Sequence, residues 1–594
     1  MKSAASRLLL FLGLATTALA QNAATTVQVD ASANRHAISP NIYGINYGDA
    51  HDMATLNAPL NRWGGNSTTR YNWQIDAHSA AADWYFETYS DGNGTPGGSA
   101  DQFVATTRSA GNGAEPLFTI PTIDYLANLG SGRSTLKGFS IAKYGPQTDH
   151  DYWNPDAGNG ISTAAGNPKI TGNDPLDTGV ANTTAIQQAW VQHFVSTYGA
   201  SGTANGIKYY ILDNEPSLWH STHRDVHPTP LGYDELYNKM VAYSTAIRAA
   251  DPNATIAGPE EWCWWAMYYS GKDQNGGTGA GSDFATHGNT YYYPWLLQKI
   301  AAYKQQTGKQ LIDVLTVHSY SDGPGDGDDS ASQLARNKQT RILWDPNYTD
   351  PLWFGDIGIN GRTVNYIPTL KAWIAQYAPG LKLGFTEYNW GDEANLNGAT
   401  TQADVLGIYG REGVDLATRW TVATSTDPNT HVITYYVTYL ASQIYRNYDG
   451  SKSTFGDTSV SATVANPDNL SAFAAVRSTD GALTVMVINK QTGTTPVTVN
   501  LAGFASAGPA QVWQINSAAQ TTIAHLANVN VSGSAIALTV PSQSITLLVV
   551  PAASAAVNRW DFNADGKADI LWTNTATGER YVWLMNGGTF SSSV

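Results

Sequence analysis

Two segments of this chain place a glutamate where an apolar run stops. "IKYYILDNEPSLWH", Ile207 to His220, breaks from Ile211 and Leu212 into Asp213, Asn214, Glu215 and Pro216. Glutamate has low strand preference, and the proline after it removes a backbone donor and ends the ladder. Glu215 therefore reads as the end of a buried strand that emerges onto a rim. "LGFTEYNW" repeats the arrangement with Glu387. A carboxylate chosen at random is most often a solvated surface group, but two at matching strand ends supply a chemistry. One can protonate a glycosidic oxygen while the other attacks, or directs water at, the anomeric carbon.

Neighbouring residues fit a sugar site. Asn46 and Asn214 offer polar contacts to hydroxyls, and His318 and Tyr320 in "VHSY" end the strand before the one that carries Glu387. A core histidine satisfied by its neighbours is nearly as good a reading of His318. Trp63, Trp219, Trp390 and Trp420 lie at strand ends, and Trp344 and Trp353 lie in a long loop after "VHSY". Any of these indoles could stack a sugar ring or simply pack; as a set, some are expected to line a groove.

Positioning the glutamates on one rim requires a closed sheet. Between about 41 and 450, eight short apolar runs alternate with amphipathic segments: "NIYGINYG", "LNRWGGN", "EPLFTIP", "IKYYILDNEP", "TIAGPEEW", "DVLTVHSY", "LKLGFTEYNW" and "VDLATRW". This is the pattern of a (β/α)8 TIM barrel, whose active sites lie at the C-terminal ends of its strands. Helices are expected in "PLGYDELYNKMVAYSTAIRAADP", stopping before Pro252, and in "HVITYYVTYLASQIYRNYDG" from His431, ended by Gly450. From 451 to 551 the texture changes to short alternating strands separated by turns, an antiparallel β-sandwich. The strand "TTVQVDAS" within 21–40 has no helical partner and is assigned to that sandwich, which both ends of the catalytic module would then build.

Residues 1–20 have Lys2 and Arg7, an apolar run and Ala18-Leu19-Ala20, the layout of a signal peptide. A secreted chain is expected, and no later apolar run is long enough to span a bilayer. The formal charge of −15 becomes −15 − 2 = −17 once Lys2 and Arg7 leave, which disfavours nucleic acid and other polyanions as partners. The single cysteine, Cys263, excludes an intrachain disulfide and reads as a small core residue. Gly92, Gly94 and Gly97 match G-x-G-x-x-G, but Pro96 interrupts them and they read as a loop. In the 552–594 tail, a linker leads to Asp561, Asn563, Asp565, Gly566 and Asp569, a D-x-N-x-D-G-x-x-D spacing suited to structural calcium.

"NRWGGNSTTRYNW", "FSIAKYGPQTDHDYWNPDAGNG", "YYILDNEPSLWH" and "LGFTEYNW", in this order, resemble glycoside hydrolase family 44 over about Thr25 to Pro551. The resemblance implies a barrel plus a sandwich and a retaining endo-β-1,4-glucanase; a monomer without a catalytic cofactor is expected. Its substrates would be polysaccharides: xyloglucan, cellulose derivatives or mixed-linkage glucan. By motif, Glu215 is then the acid/base and Glu387 the nucleophile. The tail is similar to a partial FG-GAP or VCBS-like propeller repeat. The competing readings are a non-catalytic polysaccharide-binding or adhesion protein and a barrel glycosidase acting on mannan or xylan.

Overall fold

The computed structural model describes residues 21–321, 325–350, 363–427, 430, 432–553, 562, 567, 569–575, 577–586 and 589–593. Eight parallel strands close into a barrel: β1 (Gly44–Asn46), β2 (Leu60–Trp63), β3 (Glu115–Ile120), β4 (Tyr209–Leu212), β5 (Thr255–Glu261), β6 (Val314–Tyr320), β7 (Lys382–Asn389) and β8 (Leu416–Arg419). They follow chain order, and β8 meets β1 through Thr418 opposite Gly44. Each falls within one of the eight runs read from the sequence. Those runs are apolar on both faces through much of their length because a parallel strand in a barrel is covered on both faces.

Leu60, Leu117, Ile211, Ala257, Val314 and Leu416 form a separate apolar cluster drawn from six of the strands. One residue from each of several strands is how a barrel lumen is filled. Toward the C-terminal ends the same strands change character, with Asn46, Arg62, Glu260, Glu261, His318 and Glu387 all buried. Helices cover the outside. Tyr233–Ala250 ends before Pro252 as expected. The last helix is shorter than expected: it runs only over Val437–Arg446, because Ile433–Tyr435 is extended and pairs with Thr424–Thr426. Val432 and Ile433 are exposed, so this part of the apolar run has no helical face to bury.

The strand Thr25–Asp30 pairs antiparallel with Thr458–Val464 and parallel with Thr495–Ala502. It thereby joins the C-terminal strands in one eleven-stranded sheet. Period-two alternation divides that sheet between two cores. In Ser544–Val550, Ile545, Leu547 and Val549 join the main core of the barrel, whereas Leu548 and Val550 join a second cluster with Val27 and Val29. The helix Leu396–Arg411 lies at this junction. A Cβ on its Gly407 would fall 2.2 Å from the Phe473 ring, so only glycine permits the approach.

Across the junction Lys490 Nζ lies 2.6 Å from Asp404 Oδ2, with both side chains almost fully buried. Removing one partner of such a pair typically costs about 3–5 kcal/mol, because the other charge stays buried alone. Lys490→Met is therefore expected to lower the thermal midpoint by several degrees. An unchanged midpoint in a calorimetric scan would show that the pair does not secure the sheet to the barrel.

Candidate active site

The site begins with Arg62 at the end of β2, fully buried. Its Nη1 donates to Glu387 Oε1 at 2.7 Å and to Asn46 Oδ1 at 3.0 Å. Its Nη2 donates to Asn214 Oδ1 at 2.9 Å and to Glu260 Oε2 at 3.0 Å. One planar cation thus ties together the ends of β1, β2, β4, β5 and β7. Glu260 also accepts from Thr386 Oγ1 at 2.7 Å and lies 3.2 Å from His318 Nε2. The other ring nitrogen of His318, Nδ1, lies 2.8 Å from Glu215 Oε1 and 3.5 Å from Glu387 Oε2. The Tyr320 hydroxyl donates to Glu387 Oε2 at 2.7 Å.

The chain turns sharply to present these groups. Asp213, Glu215 and Glu260 all have positive φ, at 62°, 43° and 64°. Such conformations cost roughly 1–3 kcal/mol each and persist where the surroundings over-determine them. Here the Asp213 carboxylate accepts from the backbone N–H groups of Thr122, Ile123 and Asn214. The N–H of Glu215 donates to the Glu260 carbonyl at 3.0 Å.

The electrostatics follow from burial and charge. Burial alone would make the His318 imidazole less basic, but Glu387, Glu215 and Glu260 outweigh it and push its pKa up to about 10. Burial raises the Glu215 carboxyl above its usual range, with the His318 bond offsetting part of the rise and the Glu387 charge adding to it. Burial would also raise Glu260, yet Arg62 and His318 bring it below its usual value. For Glu261 burial dominates and pushes it up to about 8, despite bonds from Ser217 and the His318 charge, with the Glu215 charge adding to the rise.

One oxygen of Glu215, one of Glu387 and one nitrogen of His318 lie within 4.8 Å of one another. Both glutamates face an open cleft lined also by Asn66, Tyr320, Trp262 and Trp420. A bound chain there would meet two carboxyls and two indoles. Gly65 makes room for the Trp420 ring: its φ is 83°, and a Cβ on it would lie 2.4 Å from the indole.

The sequence profile of glycoside hydrolase family 44 matches residues 77–323. Endoglucanase A of Paenibacillus lautus is 31% identical over 549 residues, spanning 89% of this chain and 73% of that protein. The chain belongs to glycoside hydrolase family 44. A bifunctional glucanase-xylanase from a metagenome library has a similar crystal structure, with TM-score 0.84 and 50% identity over 90% of this chain and all of that one. A family 44 xyloglucanase from Paenibacillus polymyxa, solved with xyloglucan, gives TM-score 0.72 and 28% identity over 89% of this chain and all of that one.

For this family 44 chain, the structure sorts the residues expected at the site. Glu215, Glu387, Asn214, Tyr320 and Trp420 come together at the cleft. Asn46 does not face substrate: it is fully buried, and its amide donates to the carbonyls of Thr418 and Arg419 while its oxygen accepts from Arg62. His318 is likewise fully buried, because three carboxyls surround it. Trp219 and Trp390 have no exposed face to offer a sugar. The Trp219 indole donates instead to the Asn214 carbonyl at 3.0 Å. Trp63 packs edge-on against Phe103 and Tyr71. Trp344 lies under the Arg411 guanidinium beside His36 and the sheet, away from the cleft. Trp353, Asp561, Asn563 and Asp565 lie outside the described residues. Asp569 accepts from the backbone N–H groups of Phe562 and Met585.

Arg62, Glu260, Glu261 and Trp262 were not among the expected site residues. The signal for them was the one that marked Glu215, charged residues ending an apolar strand, in "LNRW" and "AGPEEW". Cys263 is buried at the edge of the cleft. Among the described residues, two groups have metal-ligand geometry: Glu215–His318–Glu387 itself, and Asp124–His227–Glu235. In the second, Lys239 Nζ already lies 2.6 Å from Asp124.

Because Glu261 rises from 4.5 to about 8 on folding, the folded state holds its proton more tightly than the unfolded state. Its contribution to stability is full below about pH 4.5 and is lost as pH rises through about 8. Glu261→Gln should flatten the fall in thermal midpoint between these limits, since the amide oxygen can still accept from Ser217. A variant with the same pH slope as the wild type would refute the shift.

Proposed function

We propose that this family 44 enzyme is a retaining endo-β-1,4-glucanase with Glu215 as acid/base and Glu387 as nucleophile. The observation that carries this is the spacing: one carboxylate oxygen of Glu215 lies within 4.8 Å of one of Glu387, which supports the closer of the two known arrangements. Retaining pairs stand about 5–5.5 Å apart and inverting pairs about 6.5–9.5 Å. Charge balance separates the roles. Arg62 and the His318 imidazolium are two cations among three carboxyls, so the cluster is neutral when one carboxyl keeps its proton. That proton belongs on Glu215, which burial raises and which has no guanidinium on it. Glu387 is held by Arg62 through one oxygen and by Tyr320 through the other. In the first step Glu387 attacks the anomeric carbon as Glu215 protonates the departing oxygen. In the second, Glu215 takes a proton from water, which then releases the sugar from Glu387.

The substrate class follows from the cleft, which is open and aromatic, and from relatives named endoglucanase, xyloglucanase and glucanase-xylanase. Xyloglucan, cellulose derivatives and mixed-linkage glucan are the substrates we assign, with xylan as a second on the strength of the relative at 50% identity. The eleven-stranded sheet, with apolar cores on two faces, fits the sandwich reading. We also assign residues 1–20 to a signal peptide, 21–40 and 451–551 to the sandwich, 41–450 to the catalytic barrel and 552–594 to a linker and an FG-GAP or VCBS-like repeat with structural calcium. A secreted monomer is the form we expect.

Retention predicts that the β-anomer is released first, as read from anomeric proton signals early in hydrolysis. Initial α-anomer would mean an inverting site. Glu387→Ala should lower turnover by about 10⁴-fold or more on every substrate. Glu215→Ala should still form a glycosyl-enzyme from a dinitrophenyl glycoside and yield the β-glycosyl azide when azide is added. If Glu387→Ala gave the β-azide instead, the two roles would be exchanged.

A further inference from the structure

Glu215 follows β4 and stands at the N-cap of the short 3₁₀ helix Pro216–Leu218. An N-cap side chain ordinarily accepts from the N–H groups of the first turn, which have no partner inside the helix. The Glu215 carboxyl makes no such bond. It is turned instead to His318 Nδ1, 2.8 Å away, and to the cleft. Pro216 has no N–H to satisfy, so the first donor left without a cap is that of Ser217, whose side chain is fully buried.

Glu261, at the end of β5, takes the place of the missing cap. Its Oε1 accepts from the Ser217 hydroxyl at 2.8 Å and its Oε2 from the Ser217 N–H at 3.4 Å. One residue earlier on β5, the Glu260 carbonyl accepts from the N–H of Glu215 at 3.0 Å. Consecutive residues of β5 thus hold the chain on both sides of Glu215. The turn is closely packed as well: a Cβ on Gly271 would lie 2.8 Å from the Ser217 carbonyl oxygen. Such anchoring is what a left-handed residue needs, and φ at Glu215 is 43°. Glu261 is fully buried and keeps its proton up to about pH 8, so the anchor adds no anion beside Glu215. Resting on the acid/base reading of Glu215 above, we propose that Glu261 is a positioning residue for proton transfer, holding Ser217 so that the Glu215 carboxyl stays directed at the glycosidic oxygen. Glu387 is held by Arg62 and Tyr320, so attack on the anomeric carbon is independent of this anchor. Loss of Glu261 therefore impairs leaving groups that need a proton and spares those that do not.

The test measures kcat/KM of the full chain on two β-cellotriosides, one with a phenyl and one with a dinitrophenyl leaving group. Glu261→Ala should lower kcat/KM by about 10²-fold on the phenyl glycoside and by less than about threefold on the dinitrophenyl one. Glu261→Gln, which keeps an oxygen for Ser217, should recover most of the loss. Ser217→Ala, which keeps the N–H and removes the hydroxyl, should show the same dependence on leaving group at smaller size. Equal losses on both glycosides, or no loss on either, would overturn the proposal and leave Glu261 a packing role alone. If Glu261→Ala does not fold, the same comparison with Ser217→Ala decides. Glu215→Ala is the control for the reading beneath it: that variant should show the steepest dependence on leaving group. A flat response there would sink the acid/base assignment itself, whereas a steep one beside a flat Glu261→Ala would sink only the positioning role.

Discussion

A guanidinium without access to water must place its donors on fixed acceptors, and Arg62 places four on Glu387, Asn46, Asn214 and Glu260. Its planar fork sets the separation and orientation of those acceptors in a way a lysine could not. Because the acceptors lie in, or just beyond, four different strands, Arg62 fixes the relative height of the strand ends as well as its own position. His318 extends the same constraint from Glu260 to Glu215. The Glu215–Glu387 pair, which we propose to be catalytic, is therefore located by the buried Arg62, His318 and Glu260. A pair held this way can be pre-organised before any ligand arrives.

The barrel was legible because parallel strands buried on both faces have a plain signature, and all eight runs hold a barrel strand. The two facing glutamates were legible because a carboxylate at a buried strand's end is costly unless it is paired or put to use, although Glu260 and Glu261 show the same signal. What the sequence concealed was which polar groups look outward. Asn46 and Asn214 are the same residue type at comparable strand ends, yet one faces inward onto the Thr418 and Arg419 carbonyls and the other lines the cleft. Four tryptophans at strand ends divide in the same way, with Trp420 on the cleft and Trp63, Trp219 and Trp390 in packing. Side-chain direction at a strand end depends on the turn that follows, and positive φ at Asp213 and Glu215 is not written in their residue types.

The sheet contributes to the site through support. Its apolar residues merge with the outer core of the barrel at the helix Leu396–Arg411, which follows β7. That helix is buried along nearly its whole length, between barrel and sheet. Displacement of the sheet would thus be felt by the strand that carries Glu387. Gly407 against Phe473 and Lys490 against Asp404 hold the two layers in one register.

The third carboxyl explains how the other two differ. Were Glu260 absent, Arg62 and His318 would face only Glu215 and Glu387, and both could be charged and matched. With Glu260 taking a share of each cation, positive charge is insufficient for three anions. The carboxyl of the three that has no guanidinium on it is the one assigned the proton, and that is Glu215. In the mechanism we propose, esterification of Glu387 to the sugar removes its anion and the balance shifts: two cations then face two carboxyls, and Glu215 can be charged. The same residue is thereby an acid in the first step and a base in the second. The change of role needs no movement of Glu215, because it follows from the charge that the reaction itself removes from its neighbour.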